Sequence, residues 1–267
     1  MEKLETHNDR SLAPAPTVLA LVLLANDESG ITATIESLGW ADGRVGVDLG
    51  CKDATVEVCR RVGLAVVSAA DVDREVGRIR PDWILLIEGH ERVPADLSNE
   101  IRRVIDGARG QGPIAYVIDR EVEFLGRRLR SRVWNLPGCV KLVRREARSW
   151  SDGALTLEAD PVDGRRAGRL VHRLRARPYE SLGHFVTRAD VLTTASARAM
   201  RRRGAVARWS DLALHPAARL ARCLPGASMR DGIVGAILVL LDAYRLALVS
   251  AKHWELEHNA ERLEQPR

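Results

Sequence analysis

Asp82-Trp83-Ile84-Leu85-Leu86-Ile87-Glu88-Gly89-His90-Glu91 is the stretch that decides the fold. From Trp83 to Ile87 the residues are apolar with neither helical nor alternating spacing, which is how a parallel strand buried on both faces reads. The run then stops in acid, glycine, histidine, acid. In an open α/β sheet the ligand crevice lies at the carboxyl ends of the strands. This tail therefore sets two carboxylates and an imidazole where a substrate would bind, an ending that points to a metal and phosphate site.

Upstream the same pattern repeats. Thr17 to Ala25, with Val18, Leu19, Leu21, Val22, Leu23 and Leu24, is a second buried strand that closes in Asn26-Asp27-Glu28. A helix is expected from there to about Leu38, with Ile31, Ile35 and Leu38 at helical spacing and Asn26 or Asp27 as its cap. Arg44 to Asp48 is a short strand ending in a carboxylate. Leu49-Gly50-Cys51-Lys52-Asp53-Ala54-Thr55 then turns into a helix carrying Val56, Cys59 and Val62. A strand from Leu64 to Ser68 and a helix from Val72 to Arg80 complete the approach to the opening strand. Such alternation predicts a parallel sheet covered on both faces.

Three strands thus end in Asn26, Asp48 and Glu88 at one edge. Any one of these would ordinarily serve as a helix cap or loop hydrogen bond; three together favour a shared nucleotide or phosphate site. No Gly-x-Gly-x-x-Gly follows the first strand and no Walker loop is present, which weighs against nicotinamide and ATP sites.

Downstream, Pro94 to Gly107 reads as a helix and Pro113 to Phe124 as a strand, with Ile114, Tyr116 and Ile118 alternating. A basic, glycine-punctuated segment from Leu125 to Trp134 precedes a strand from Val140 to Arg144. Asp152 to Leu170 reads as loop-rich, and Tyr179 to about Arg203 as a helix ending in Arg201-Arg202-Arg203-Gly204. Asp231-Gly232 then precedes Ile233 to Val249, an apolar helix interrupted by Asp242 and Arg245, which are spaced to pair. It is short of the roughly 20 residues of a bilayer span. Packing on the main domain, or lying in a membrane interface, suits it better. Tyr244 and Trp254 fit either as interfacial anchors or as core.

With 267 residues, 46% of them hydrophobic and 29% charged, the chain has the composition of a folded soluble protein. Met1 to Pro16 is polar, ends in Ala-Pro-Ala-Pro and reads as a flexible tail without a secretory signal. Cys51, Cys59, Cys139 and Cys223 show no Cys-x-x-Cys pairing, so buried thiols in a reducing cytoplasm are expected. The net charge of +5 conceals an asymmetry: from Arg120 to Arg222 there are 23 Lys and Arg against 10 Asp and Glu, leaving the rest net acidic. No DNA or RNA module is recognisable, and 4% aromatic residues are too few for base-stacking platforms. Phosphorylated lipid or glycolipid at an anionic membrane surface is the better partner for the basic half.

Taken together, Leu24-Ala25-Asn26-Asp27-Glu28, Val47-Asp48-Leu49-Gly50-Cys51-Lys52-Asp53-Ala54-Thr55 and the opening stretch resemble, in order and spacing, the family 2 glycosyltransferases. The similarity runs from about Thr17 to Glu257. Phe124-Leu125-Gly126-Arg127, Trp134 with Pro137, Lys141-Leu142-Val143-Arg144-Arg145, Asp231-Gly232 and Ala251-Lys252-His253-Trp254-Glu255 look most like the branch that includes lipopolysaccharide core glucosyltransferases.

The resemblance implies a GT-A fold: an α/β, mostly parallel sheet flanked by helices, with a C-terminal helical extension. It divides the chain into a tail (1–16), a glycosyltransferase domain (17–215) and the extension (216–267). It also implies an inverting enzyme with a nucleotide-sugar donor, and a glycolipid or lipopolysaccharide-core acceptor met at the inner face of the cytoplasmic membrane. By resemblance, Asn26, Glu28, Asp48, Asp53 and Glu88 bind the nucleotide sugar and Glu158 is the general base. Glu88, His90 and Glu91 hold Mg²⁺ or Mn²⁺, which would neutralise the leaving diphosphate. The chain departs from the branch where Asp-Ala-Asp-Glu is replaced by Glu88-Gly89-His90-Glu91, and where Val-His-Glu is replaced by Thr156-Leu157-Glu158. The branch's Arg-Asn pair falls near Val72-Asp73, and a late histidine near Ala176.

Overall fold

The structure is a computed structural model that describes residues 15–107, 112–131, 139–147 and 167–264. Most of the expected tail, together with Trp134, Pro137, Leu157 and Glu158, lies outside the described residues.

The first half alternates as its hydrophobic runs predict: β1 (Val18–Leu24), α1 (Ile31–Ser37), β2 (Gly43–Asp48), α2 (Thr55–Arg61), β3 (Ala65–Ser68), α3 (Val72–Ile79) and β4 (Trp83–Glu88). Then follow β5 (Glu91–Arg92), α4 (Ala95–Gly107), β6 (Ala115–Ile118), β7 (Arg120–Phe124), β8 (Arg127–Arg128), β9 (Cys139–Arg144), β10 (Ala167–Arg169), β11 (Leu174–Ala176), α5 (Leu182–Arg202) and α6 (Trp209–Glu264). The main sheet has seven strands in the order β10-β6-β9-β4-β1-β2-β3. All its neighbours are parallel except β9, which runs antiparallel to both β4 and β6.

Every residue of β1 is buried because the strand feeds two cores. Val18, Ala20, Val22 and Leu24 pack with Ile31, Ile35, Leu97 and Ile101. Leu19, Leu21 and Leu23 point the other way, onto Val72 and Val76 of α3. With both faces covered, no polar residue is tolerated in the strand, which is why its sequence shows no alternation. The expected fold class is therefore observed: a mostly parallel sheet flanked by helices, with a C-terminal helical extension.

Two expectations need correction. The single strand from Pro113 to Phe124 is two strands in two sheets: β6 joins the main sheet, while β7 enters a small sheet ordered β5-β11-β7-β8. The cap of α1 is Gly30, not Asn26 or Asp27. Asp27 contributes its backbone carbonyl, which accepts from Gly30 N and Ile31 N, because its carboxylate is committed elsewhere.

The small sheet seats the C-terminal extension. Val122, Phe124, Leu129 and Ala176 pack against Val234 and Leu238 of α6. Asp231 fixes the approach by accepting from Arg130 N at 2.6 Å and Ser131 N at 2.9 Å. Gly232 then breaks the helix at φ 61, ψ −144, backbone that only glycine adopts without strain. Asp242 and Arg245 pair as their spacing predicts, at 3.0 Å, and Arg219 joins them.

Candidate active site

The chain leaves β1 for β2 and β3 on one side, then returns to lay β4 on the other. The crevice between the carboxyl ends of β1 and β4 is thus the topological switch point, where ligands of open α/β sheets bind. Most of the predicted site residues cluster along this edge.

Asn26, in the left-handed region at φ 56, closes β1. Its amide donates to Thr187 O at 3.0 Å, its Oδ1 accepts from Lys52 N at 2.8 Å, and its carbonyl lies 2.7 Å from His184 Nε2. The loops after β1 and β2 are then laced together. Glu28 Oε2 accepts from Ala54 N, and Glu28 N donates to Asp53 Oδ2. Asp48 Oδ1 accepts from Gly50 N and Cys51 N, while Asp53 Oδ1 accepts from Thr55 N. The four residues therefore shape the loops at the carboxyl edge of β1 and β2. Cys51 accepts from Asn26 N, and burial is the main cause pushing its thiol up to about 12, so it is not a nucleophile at neutral pH.

Glu88, His90 and Glu91 are also brought together, but not around open space. Glu91 is fully buried: its Oε2 accepts from Glu88 N at 2.9 Å and from Lys141 Nζ at 2.8 Å. Glu88 Oε1 meets Arg120 at 3.2 Å and Lys141 at 3.5 Å, and its Oε2 lies 3.6 Å from Arg188. Arg188, buried in α5, is also bonded to Asp27. Asp27 Oδ2 in turn accepts from Ala25 N at 2.8 Å. Three carboxyl groups from the carboxyl edge thus face three cations from β7, β9 and α5.

Burial alone would raise Glu88, yet Lys141, Arg120 and Arg188 hold it below the usual carboxylate range. Burial pushes Asp27 up against the pull of Arg188. Burial first, then Arg188, holds His90 well below the ordinary imidazole value, which leaves the ring neutral at physiological pH.

A divalent cation was expected here. One ligand atom from each of Glu88, His90 and Glu91 lies within 4.8 Å of the others, and His90 Nδ1 and Glu91 Oε1 are buried without a hydrogen-bond partner. Spacing therefore suits an ion. Charge does not: Glu91 Oε1 already lies 3.5 Å from Arg120, and among the described residues three fixed cations already face the three carboxyl groups. Unit charges 4 Å apart repel by about 4 kcal/mol at an effective dielectric constant of about 20, and a divalent ion doubles that. As arranged, the residues do not fit Mg²⁺ or Mn²⁺.

Asp27, Arg120, Lys141 and Arg188 were not expected as members of this cluster. A signal was present, since Lys141 interrupts an apolar strand and Arg188 lies between Phe185 and Ala189, both buried. A charge in a core position requires a buried counter-charge. Arg92, Arg177 and His184, equally unexpected, line a pocket beside Gly89 and His90.

No protein-family model matches the chain. Among solved structures, glucosyl-3-phosphoglycerate synthase from Mycobacterium tuberculosis in complex with Mn²⁺ and UDP-glucose is similar at 16% identity, covering 69% of this chain and 79% of that one with a TM-score of 0.42. The same enzyme with Mn²⁺, UDP-glucose and phosphoglyceric acid aligns at 13% identity over 71% and 80%, TM-score 0.44. A mycobacterial protein aligns at 15% identity over 68% and 74%, TM-score 0.43.

Proposed function

We propose that this protein is an inverting family 2-type glycosyltransferase of the GT-A fold. It would move a sugar from a nucleotide-diphosphate sugar to a lipid-linked or lipopolysaccharide-core acceptor, as a peripheral protein at the cytoplasmic membrane face. The observation that carries this reading is the convergence of the loops after β1, β2 and β4 at the switch point, where a pocket opens beside Gly89 and His90. Asn26, Glu28, Asp48 and Asp53 border the nucleotide in this reading, and Glu158 takes the proton from the acceptor hydroxyl. Glu158 owes its role to the resemblance alone.

The membrane part of the proposal is supported by α6. Met229–His258 contains an 18-residue window of mean hydropathy 2.0, of which only 22% is buried. Arg201, Arg202, Arg203 and Arg208, all exposed, supply cations for anionic lipid. The direct test incubates purified protein with labelled UDP-, GDP- and ADP-sugars and glycolipid extracted from membranes. Transfer that disappears in Glu158→Gln, with nucleotide binding retained, supports the assignment; full activity of that variant removes Glu158 from it.

A second reading has its own observation. Neutralisation of Glu88 and Glu91 by Lys141, Arg120 and Arg188 suits a glycosyltransferase-like protein that no longer catalyses and serves as a binding or assembly partner in envelope polysaccharide synthesis. Nucleotide binding without turnover of any donor would select it.

A further inference from the structure

The pocket beside the ion cluster is bordered by Gly89, His90, Arg92 and Arg177, with Glu180 and His184 also in its lining. Strand register explains why two arginines reach it. β5 and β11 pair antiparallel, Arg92 opposite Arg175 and Glu91 opposite Ala176, and Arg177 N donates to His90 O at 3.1 Å. Side chains alternate across a strand. Glu91 and Ala176, at 0% and 2% exposure, take the interior, which turns Arg92 and Arg177 to the opposite face, while His90 reaches the same pocket from the turn before β5. A fully internal carboxylate and a cationic pocket wall are thus consequences of one register.

The charges on that face are not neutralised in the way those behind it are. Among the described residues Arg92 has no carboxylate partner. Arg177 is bridged to Glu123 at 2.9 Å but is more than half exposed, so it remains available to a ligand. Asp27 is occupied by Arg188, and Glu180 is the exposed carboxylate of the pocket. His90 adds a ring whose Nδ1 is buried and without a hydrogen-bond partner. Guanidinium groups bind phosphate through two parallel hydrogen bonds and need no metal to do so.

We infer that this pocket holds the phosphate-bearing end of its ligand on Arg92 and Arg177 without a divalent cation, because the position the resemblance gives to the metal is filled by Lys141, Arg120 and Arg188. For a nucleoside diphosphate as the ligand, the inference rests on the donor proposed above; for the phosphates themselves it does not. Fixed guanidinium groups are the alternative to a metal ion for stabilising charge on a departing diphosphate.

Calorimetric titration tests it with three probes: pyrophosphate, UDP and GDP, each in EDTA and in Mn²⁺. The expected result is a Kd that agrees within about twofold between the two conditions. Arg92→Ala and Arg177→Ala should each weaken binding by about tenfold or more, the loss of one charge-assisted pair, and Arg92→Lys should recover part of it. Mn²⁺ added to the wild-type protein alone should keep the electron paramagnetic resonance spectrum of the free ion. Binding that requires Mn²⁺, or a protein-bound Mn²⁺ signal lost in Glu88→Gln, overturns the inference and leaves the donor proposal standing. Pyrophosphate bound through Arg92 with no gain from a nucleoside upholds the inference and counts against the donor proposal. No binding of any probe overturns both. The comparison of EDTA with Mn²⁺ uses the wild-type chain, so a variant that fails to fold does not remove the test.

Discussion

Lys141 Nζ lies 2.8 Å from Glu91 Oε2, and neither side chain has exposed surface. A buried ion pair adds little net stability, but removing one member strands the other in a low dielectric at a cost of about 3–5 kcal/mol. Lys141→Met should therefore lower the unfolding free energy by about that amount in urea titrations followed by circular dichroism. Adding Glu91→Gln, which keeps an acceptor for Glu88 N, should restore more than half of the loss. Two strictly additive losses would mean that Glu91 does not sense the ammonium.

Gly89 is tied to the same network by space rather than charge. A Cβ at this position would overlap the Asp27 carboxylate. Asp27 cannot swing away, because it accepts from Ala25 N and is bonded to Arg188. Gly89→Ala should cost about 1–3 kcal/mol, the usual range for overpacking, visible as a lowered Tm. Gly30, on the same pocket wall, has nothing within 4 Å of its would-be Cβ. Gly30→Ala meets no such overlap and should cost less than Gly89→Ala, about 0.5–1 kcal/mol from the N-cap preference for glycine over alanine.

The sheet was legible from sequence because burial on both faces strips β1 and β4 of polar residues, leaving apolar runs that stop where the crevice begins. The switch from β6 to β7 was not legible. Tyr116 and Ile118 continue in phase into Val122 and Phe124, so periodicity alone hides the passage between sheets at Asp119. The carboxyl edge was legible as a row of acids, while its chemistry was not. The partners that neutralise Glu88 and Glu91 come from β7, β9 and α5, far along the chain, and spacing within a motif carries no information about them. For the same reason Arg92 and Arg177 read as ordinary surface charges until register set them beside His90.

Asp190 connects α5 to the loop after β2 and to α6. Its carboxylate lies 2.7 Å from Lys252 Nζ and 2.8 Å from Lys52 Nζ, and these hydrogen bonds hold it down at about 2, from an ordinary value of 3.8. A carboxylate depressed in the folded state stabilises above its unfolded value and loses that contribution as pH falls toward the folded one. The stability due to Asp190 should therefore be complete above about pH 5 and decline through pH 4 to 2. The side chain is 46% exposed, so screening keeps the effect to about 1 kcal/mol or less. Asp190→Asn should flatten this part of the acid limb, and 1 M NaCl should reduce the difference between the two proteins. Parallel acid limbs would show that the two lysines do not act on folding.

Along α6, Ile233, Leu240 and Tyr244 fall within one stripe at helical spacing and stay 71%, 54% and 46% exposed, with Trp254 near the same face at 47%. Water is a poor solvent for such a stripe, and each aliphatic side chain is worth about 1.5–3 kcal/mol on transfer to an apolar phase. Vesicles of phosphatidylcholine with one third phosphatidylglycerol should therefore carry the protein upward in a density gradient, and salt should weaken the association. Ile233→Gln with Leu240→Gln should reduce flotation by about tenfold or more while leaving the melting temperature unchanged, since neither side chain is buried in the fold. Flotation unaffected by the pair would place the lipid contact elsewhere. If the wild-type chain instead stays in solution and self-associates, and the double variant is monomeric, the stripe is covered by a second copy of this chain and not by lipid.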